Sequence, residues 1–486
     1  MNQSIKSLLG NIDFEVSGEL PESINKIKSD SRLVEKGDLF VAIKGLNSDG
    51  HTFLPIIAKS GASVAVVEQF NDEINLPQVK VVNSKEALLE IANNFYEHPT
   101  DDMTVIGVTG TNGKTTTTYL IQKILMHTGH NGGIIGTYGY TINNKTIETN
   151  FTTPDIIQLF DILYQMKQQG VEYVIMEVSS HAIALQRIDK VKFDGAVFTN
   201  ISRDHMDFHK TLDNYAGAKA KLFGMLPHSG FAMINQEDDY APMILKKSKA
   251  RNLTYSVQGP ADYYFSDDTT FENGIQGRLY FHEKVYDFSS LLSGSFNMKN
   301  LLAAIGVCHN LNIPMVYILN ALRDIAPPPG RLEEVSKAGH ARLFIDYAHT
   351  PDAIANALGT LKKIVPEKGR LISIFGCGGN RDQAKRPLMA KASEKYADLS
   401  ILTTDNPRFE DPLAIINEAK TGFSSPETYR IITDRAEAIR SALSLSKEED
   451  IIAILGKGHE TYQDIEGKKL DFDDKAIVRE FYNENK

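Results

Sequence analysis

At 486 residues the chain is too long for a single core, and about three domains are expected; 42% hydrophobic and 23% charged residues are ordinary for a soluble globular protein. A formal net charge of −10, with no basic block interleaved with aromatics, argues against a nucleic-acid-binding surface. Two cysteines, Cys308 and Cys377, cannot form a disulfide framework and suit a reducing cytoplasm; MNQSIKSLLGNIDFEV lacks the long apolar core of a signal peptide, and no apolar run approaches the roughly 20 residues that span a bilayer.

In chain order, residues 39–43 (LFVAI), 64–67 and 79–82 read as strands and 85–96 as a helix. The polar, proline-containing stretch 98–102 (HPTDD) reads as a boundary. Strand–helix alternation follows, with nearly continuous apolar strands at 173–178 (YVIMEV), 195–199 (GAVFT) and 231–234, as in a parallel sheet covered on both faces. Residues 274–288 alternate apolar and polar side chains and predict a small antiparallel hairpin, and a helix spans about 297–310. Pro327-Pro328-Pro329-Gly330 forms a stiff second boundary. Strands at 342–347, 371–375, 399–403 and 451–455 then alternate with helical stretches, the pattern of a second, doubly wound sheet.

The most informative stretch is 105–118, VIGVTGTNGKTTTT. A strand, a glycine loop and a helix follow one another there, and such a loop offers backbone N–H groups and a helix N-terminus to a phosphate chain. Gly110, Thr111, Asn112, Gly113, Lys114, Thr115 and Thr116 form the candidate site, with Lys114 for the terminal phosphates and Thr115 for magnesium. Val108 stands where the strict pattern has its first glycine; the bland alternative is a glycine turn before an ordinary helix.

Other polar positions stand after strands. Glu177 ends a strand and can hold magnesium, or can be a solvated strand end. The hexapeptide 204–209 (DHMDFH) packs metal-capable side chains closely, although histidine is an unusual magnesium ligand and a surface loop is the default for it. Asn297 and Asn300 can read an adenine edge or cap a helix, with capping the better isolated reading. Arg331 lies at the hinge after the prolines, where it can swing onto a phosphate or stay solvated. Asp346 can accept from a ribose or belong to a capping turn before Pro351. GCGGNRD (376–382), DNPR (405–408) and GKGHE (456–460) all follow strands, so one edge of the last sheet gathers arginines and acceptors suited to a zwitterion.

Taken together, TGTNGKTTT, EVSSH, DHMDFH, YAGAK, FNMKN, PPGRLE, DYAHTPD, GCGGNRD, DNPR and GKGHE occur in the order seen in Mur ligases, and the resemblance runs over nearly the whole chain. It implies an α/β protein of three domains. These are a small N-terminal α/β UDP-binding domain (1–101), a central P-loop-type ATPase domain with a mostly parallel sheet (102–329) and a C-terminal Rossmann-like doubly wound domain (330–486). DNPR resembles the signature of the branch that adds meso-diaminopimelate, whose distal carboxylate Arg408 would clamp; a lysine-adding relative typically lacks this arginine.

The implied reaction is ATP-dependent amide formation through an acyl phosphate on UDP-MurNAc-L-Ala-D-Glu. By resemblance, Ser31, Thr152, Thr153, Ser179 and Arg187 would hold the UDP-substrate. Lys114, Glu177, His205 and Lys219 would be catalytic, with Asn297, Asn300, Arg331 and Asp346 joining the loop in holding ATP. Arg381, Asp405, Asn406, Pro407, Arg408, Gly456 and Glu460 would surround diaminopimelate. Mg2+ would be held by Thr115, Glu177, His205 and Lys219, the last as an N6-carboxylysine carbamate. Where relatives often carry a Gln two residues before the matching arginine, this chain has Leu185. A cytoplasmic monomer with no nucleic-acid or membrane partner is expected. An L-lysine-adding Mur ligase, a folylpolyglutamate synthase-like ligase and, from a different class, a nucleotide-switch binding protein are the competing readings.

Overall fold

The computed structural model describes residues 4–45, 48–143, 145–149, 151–266 and 274–484. The chain divides into two compact units, one of Met1–Gly107, His130–Asp194 and Met225–Pro227, the other of Val108–Gly129, Gly195–Gly224 and His228–Lys486. Both are α/β.

In the first unit a five-stranded sheet runs in the order Phe14–Ser17, Gln78–Val81, Val64–Val67, Leu39–Val41, Ile27–Lys28, antiparallel only at its first pair. Val64–Val67 is buried along its whole length, which is why it reads as a continuous apolar run. The helix Ser84–Phe95 starts where Asn83 Oδ1 accepts from the N–H groups of Lys85 and Glu86 (3.0 and 3.1 Å), and it buries Ala87, Leu88, Ile91, Ala92 and Phe95. A second group of strands pairs Tyr173–Glu177 parallel with Gly132–Gly136, which continues antiparallel into Gly139–Ile142 and Lys145–Ile147.

The second unit takes up the strand Thr104–Thr109 from Val108 onward and carries the helix Lys114–His127. Its strands Gly195–Phe198, Phe231–Asn235, Arg251–Ser256 and Tyr263–Phe265 are parallel neighbours, and the sheet ends in the antiparallel hairpin Ile275–Phe281 and Lys284–Ser290. The helix Ser295–Asn310 packs against Lys114–His127 and is buried on nearly every side. A further six-stranded sheet has the order Glu333–Glu334, Arg342–Asp346, Ile451–Leu455, Leu371–Phe375, Leu399–Leu402, Tyr429–Ile431, parallel except at its first pair. Side-chain alternation feeds two cores. Leu371, Phe375, Ile451 and Ala453 pack under the helices Pro351–Lys362, Lys385–Tyr396 and Pro412–Lys420. Ile372, Ile374, Ile452 and Ile454 pack under Arg435–Leu445 and Asp474–Glu484. The sheet is therefore doubly wound, and each buried isoleucine adds roughly 1.5–3 kcal/mol of burial.

Candidate functional site

The phosphate-loop candidate is built by close approaches that only glycine allows. A Cβ on Gly110 would stand 1.8 Å from Thr199 Oγ1, and one on Gly113 2.4 Å from Asn300 Oδ1; Gly113 also takes φ 87°. Asn200 grips the loop, its carbonyl accepting from Thr111 N (2.8 Å) and its Oδ1 from Asn112 N (3.0 Å). Gly113 is the N-cap of Lys114–His127 and, having no side chain, contributes no side-chain cap to that helix N-terminus. Val108 is fully buried in the strand, and the tight turn begins only at Gly110.

Two lysines converge on one carbonyl. Lys114 Nζ donates to Gly110 O (2.9 Å) and Thr111 O (2.8 Å), and Lys219 Nζ donates to Gly110 O (2.8 Å) from the helix Leu212–Gly224. Lys219 is 1% exposed; burial, and then the charge of Lys114, hold its pKa well below the ordinary lysine value, against a smaller pull from Asp204. Arg331 Nη2 donates to Thr115 Oγ1 (2.9 Å), and its guanidinium lies over the Tyr347 ring, so Arg331 is not a solvated hinge residue.

Asn297 and Asn300 are buried: Asn300 Nδ2 donates to Asn297 Oδ1 (2.9 Å) and Asn297 Nδ2 to Ser293 O (2.8 Å). The N-cap of their helix is Gly294, so neither asparagine has the capping role. Asp346 is buried, with Oδ2 accepting from Leu332 N (2.6 Å) and Oδ1 from Ala348 N (2.7 Å); burial raises its pKa against the pull of Arg331. The cap before Pro351 comes from Thr350, whose side chain accepts from Ala353 N.

Asp204 is likewise an interior group and not part of a solvated loop. Its Oδ1 lies 3.3 Å from Lys385 Nζ and its Oδ2 3.3 Å from His205 Nε2. Burial alone would raise its pKa, but Lys385, His205 and His349 hold it well below the usual carboxylate range. His205 takes φ 55°, and Arg203 Nε pairs with Asp382 (3.1 Å). Lys385 and Arg203 were not among the sequence candidates.

At the C-terminal edge of the six-stranded sheet the three glycine- and asparagine-bearing loops meet. A Cβ on Gly379 would stand 1.9 Å from Pro407 O, and one on Gly456 2.5 Å from Asp405 Oδ2, so these glycines let loop backbones lie against each other. Asn406 Nδ2 donates to Glu460 Oε2 (2.9 Å), and the fully buried Lys457 donates to Asn406 Oδ1 (3.1 Å) and Glu460 Oε2 (3.2 Å). Arg408 Nη1 donates to Gly379 O (2.7 Å), while Arg381 Nη1 lies 3.5 Å from Asn380 O. Lys457 stood inside a quoted motif, but only the contacts reveal that it orients Glu460.

In the first unit Glu177 is 1% exposed, which removes the solvated strand-end reading. Its carboxylate accepts from Thr137 N (2.8 Å) and Thr137 Oγ1 (3.1 Å). Thr153 Oγ1 donates to Glu177 O (2.8 Å) and accepts from Ser179 N (3.0 Å), and Arg187 Nη1 donates to Thr153 O (3.0 Å). Thr152 Oγ1 lies 3.5 Å from Thr137 Oγ1. Glu177, Thr152, Thr153, Ser179 and Arg187 thus form one bonded group. Ser31 opens the short helix Ser31–Leu33, capped by Asp30, and takes no part in these bonds. Among the described residues no three or more His, Cys, Asp or Glu side chains cluster as a metal site, and no helix is long and apolar enough to cross a membrane.

Comparison with known proteins gives three successive matches: the Mur ligase family catalytic domain over 23–96, the Mur ligase middle domain over 108–308 and the Mur ligase glutamate ligase domain over 330–458. A UDP-N-acetylmuramoyl-L-alanyl-D-glutamate–2,6-diaminopimelate ligase of Bacteroides thetaiotaomicron is 39% identical over 487 residues, covering 99% of this chain and 100% of that protein. A solved structure of a ligase of the same name superposes with a TM-score of 0.70 at 32% identity, covering 100% of this chain and 99% of that one. MurF ligase from Thermotoga maritima in complex with ADP shares the fold at 19% identity, with a TM-score of 0.65 over 94% of this chain and 96% of that one. The three matched segments follow the order of the motifs that build the phosphate loop and the zwitterion-suited edge, and the chain belongs to the Mur ligase family.

Proposed function

We propose that this chain is an ATP-dependent ligase that joins meso-diaminopimelate to UDP-MurNAc-L-Ala-D-Glu in cytoplasmic peptidoglycan precursor synthesis, and thereby serves cell-wall growth, shape and division. The D-Glu side-chain carboxylate attacks the γ-phosphorus of ATP, giving an acyl phosphate and ADP. The amine of diaminopimelate then attacks the acyl carbon and expels phosphate. Activation is needed because a carboxylate does not react with an amine at neutral pH, and the protein supplies positioning and charge neutralisation.

The observation that carries this reading is the sheet edge where Arg408 lies beside the Asn406–Glu460–Lys457 network. A guanidinium suits a distal carboxylate and nearby carboxylates suit an ammonium, the two charges of a zwitterionic amino acid. Arg381, Asp405, Pro407 and Gly456 complete the proposed diaminopimelate set. The loop from Gly110 to Thr116, with Asn297, Asn300, Arg331 and Asp346, is the proposed ATP set. Asn300 serves it from behind the loop, through Gly113. Thr152, Thr153, Ser179, Arg187 and Ser31 are proposed for the UDP-substrate. The proposed domain limits remain 1–101, 102–329 and 330–486, and the protein is taken as a monomer.

Magnesium takes oxygen donors, which the Thr115 hydroxyl and the Glu177 carboxylate are. Lys219 fits such a role only as a carbamate. Its lowered pKa favours the neutral amine, the form that adds carbon dioxide to give a carbamate and a proton. His205 is retained as a candidate ligand. When bound, magnesium would neutralise phosphate charge. The test is mass analysis of product formed from ATP, the UDP-dipeptide and an equal mixture of lysine and meso-diaminopimelate. The expected product carries diaminopimelate only; a lysine product would move the chain to the lysine-adding branch, and no amide would refute the proposal.

A further inference from the structure

Beyond the GKGHE segment the chain forms a two-stranded hairpin, Tyr462–Ile465 and Lys468–Asp471, that no motif of the sequence analysis included. Its first strand lies along the DNPR segment. Arg408 N donates to Asp464 O (2.9 Å), and Glu466 N donates to Arg408 O (2.7 Å), a bridge in parallel register with Ile465. Asp464 N donates to Asn406 Oδ1 (3.0 Å), and Gln463 Nε2 to Asp405 O (3.0 Å). These bonds hold Arg408 at φ 53°, a left-handed conformation that is uncommon for residues other than glycine.

The side chains continue the relationship. Arg408 Nε faces Asp464 Oδ2 at 3.6 Å, an ion pair between side chains that are only about a quarter exposed, 23% and 24%. Nη1 is committed to Gly379 O, and Nη2 has no partner among the described residues. The other carboxylate oxygen, Asp464 Oδ1, is buried and accepts no hydrogen bond among the described residues. Arg381 is near enough for the charge of Arg408 to lower its pKa, second only to burial. Two guanidinium groups thus share this edge, and Asp464 is the carboxylate paired with Arg408 at Nε.

We propose that Asp464 is a specificity-determining positioning residue. Its carboxylate fixes the Nε flank of Arg408 so that the remaining Nη edge is presented to the distal carboxylate of the incoming amino acid. A planar guanidinium held on one flank and at Nη1 keeps one orientation, whereas one held at Nη1 alone can rotate about that bond. The inference rests on the proposed reading of this edge as the diamino-acid site.

Steady-state kinetics on the full chain test it. Asp464→Asn is expected to raise KM for meso-diaminopimelate about tenfold, with kcat and the KM values for ATP and UDP-dipeptide within about twofold. In an Arg408→Ala background the same change is expected to add less than about twofold, because the group it positions is gone. Asp464→Glu, which keeps the charge, is expected to recover most of the loss. An unchanged KM for diaminopimelate in Asp464→Asn overturns the proposal. An equal loss in the Arg408→Ala background, or a matching rise in KM for ATP, also overturns it by assigning Asp464 to hairpin folding alone. Wild-type protein that forms no amide with diaminopimelate refutes the functional reading instead.

Discussion

Arg331 Nη2 donates to Thr115 Oγ1 at 2.9 Å, so the second residue after the triple proline meets the first turn of the helix Lys114–His127. Its guanidinium also lies over the Tyr347 ring, 4.7 Å from the centroid. Replacing Arg331 with Lys keeps the charge but removes the planar guanidinium that makes both contacts at once. Arg331→Lys is expected to lower kcat/KM for ATP by about 10–100-fold, while UDP-dipeptide affinity by calorimetry stays unchanged.

Lys114 carries the loop's terminal cation, folded onto the Gly110 and Thr111 carbonyls. Lys114→Ala is expected to reduce amide formation by at least about 100-fold, with UDP-dipeptide binding preserved. Calorimetry and product analysis on one preparation separate the two effects. Joint loss would mean a misfolded variant or a wrongly assigned site.

His349 is held down to about 4, first by burial and then by Lys385, although Asp204 and the Tyr347 carbonyl pull the other way. The unfolded chain binds this proton near pH 6.5 and the folded chain only near 4, so stability is retained above pH 6.5 and is lost as pH falls from there to about 4. The expected loss is about 1–3 kcal/mol over that window. Urea unfolding at pH 7 and pH 4.5 should show a smaller difference in His349→Gln than in the parent chain.

Arg435 and Asp474 form a fully buried fork, with Nε to Oδ1 at 2.9 Å and Nη2 to Oδ2 at 2.8 Å, and Nη2 also reaches Leu455 O. Arg435→Met would leave a buried carboxylate without its cation, and about 3–5 kcal/mol of destabilisation is expected in denaturant. Arg435→Met with Asp474→Leu should recover much of it; a double variant no better than the single would show that the fork is not the source.

Sheet interiors were legible in the sequence because residues buried on both faces leave uninterrupted apolar runs, as in Leu371–Phe375 and Ile451–Leu455, whose limits match the expectation. The edge strands Phe14–Ser17 and Lys468–Asp471 were not. Phe14–Ser17 is only four residues long and partly exposed, and Lys468–Asp471 is exposed throughout, so neither leaves a buried apolar run. The strand–glycine loop–helix arrangement around Gly110–Lys114 was readable because its glycines and lysine are local. The Asp204–Lys385 pair joins residues 181 positions apart, and no local pattern announces it. Glu177 read evenly as a magnesium-holding carboxylate or a solvated strand end, and only the packing around Gly136 and Thr137 decides that it is interior.

The approach of Gly379 to the Pro407 carbonyl bears on transplantation. A side chain at 379 would begin 1.9 Å from that oxygen, so the two loops fit together only with glycine at this position. Grafting the DNPR tetrapeptide into a scaffold that lacks the paired glycines would carry the letters across without the geometry, and selectivity would stay behind.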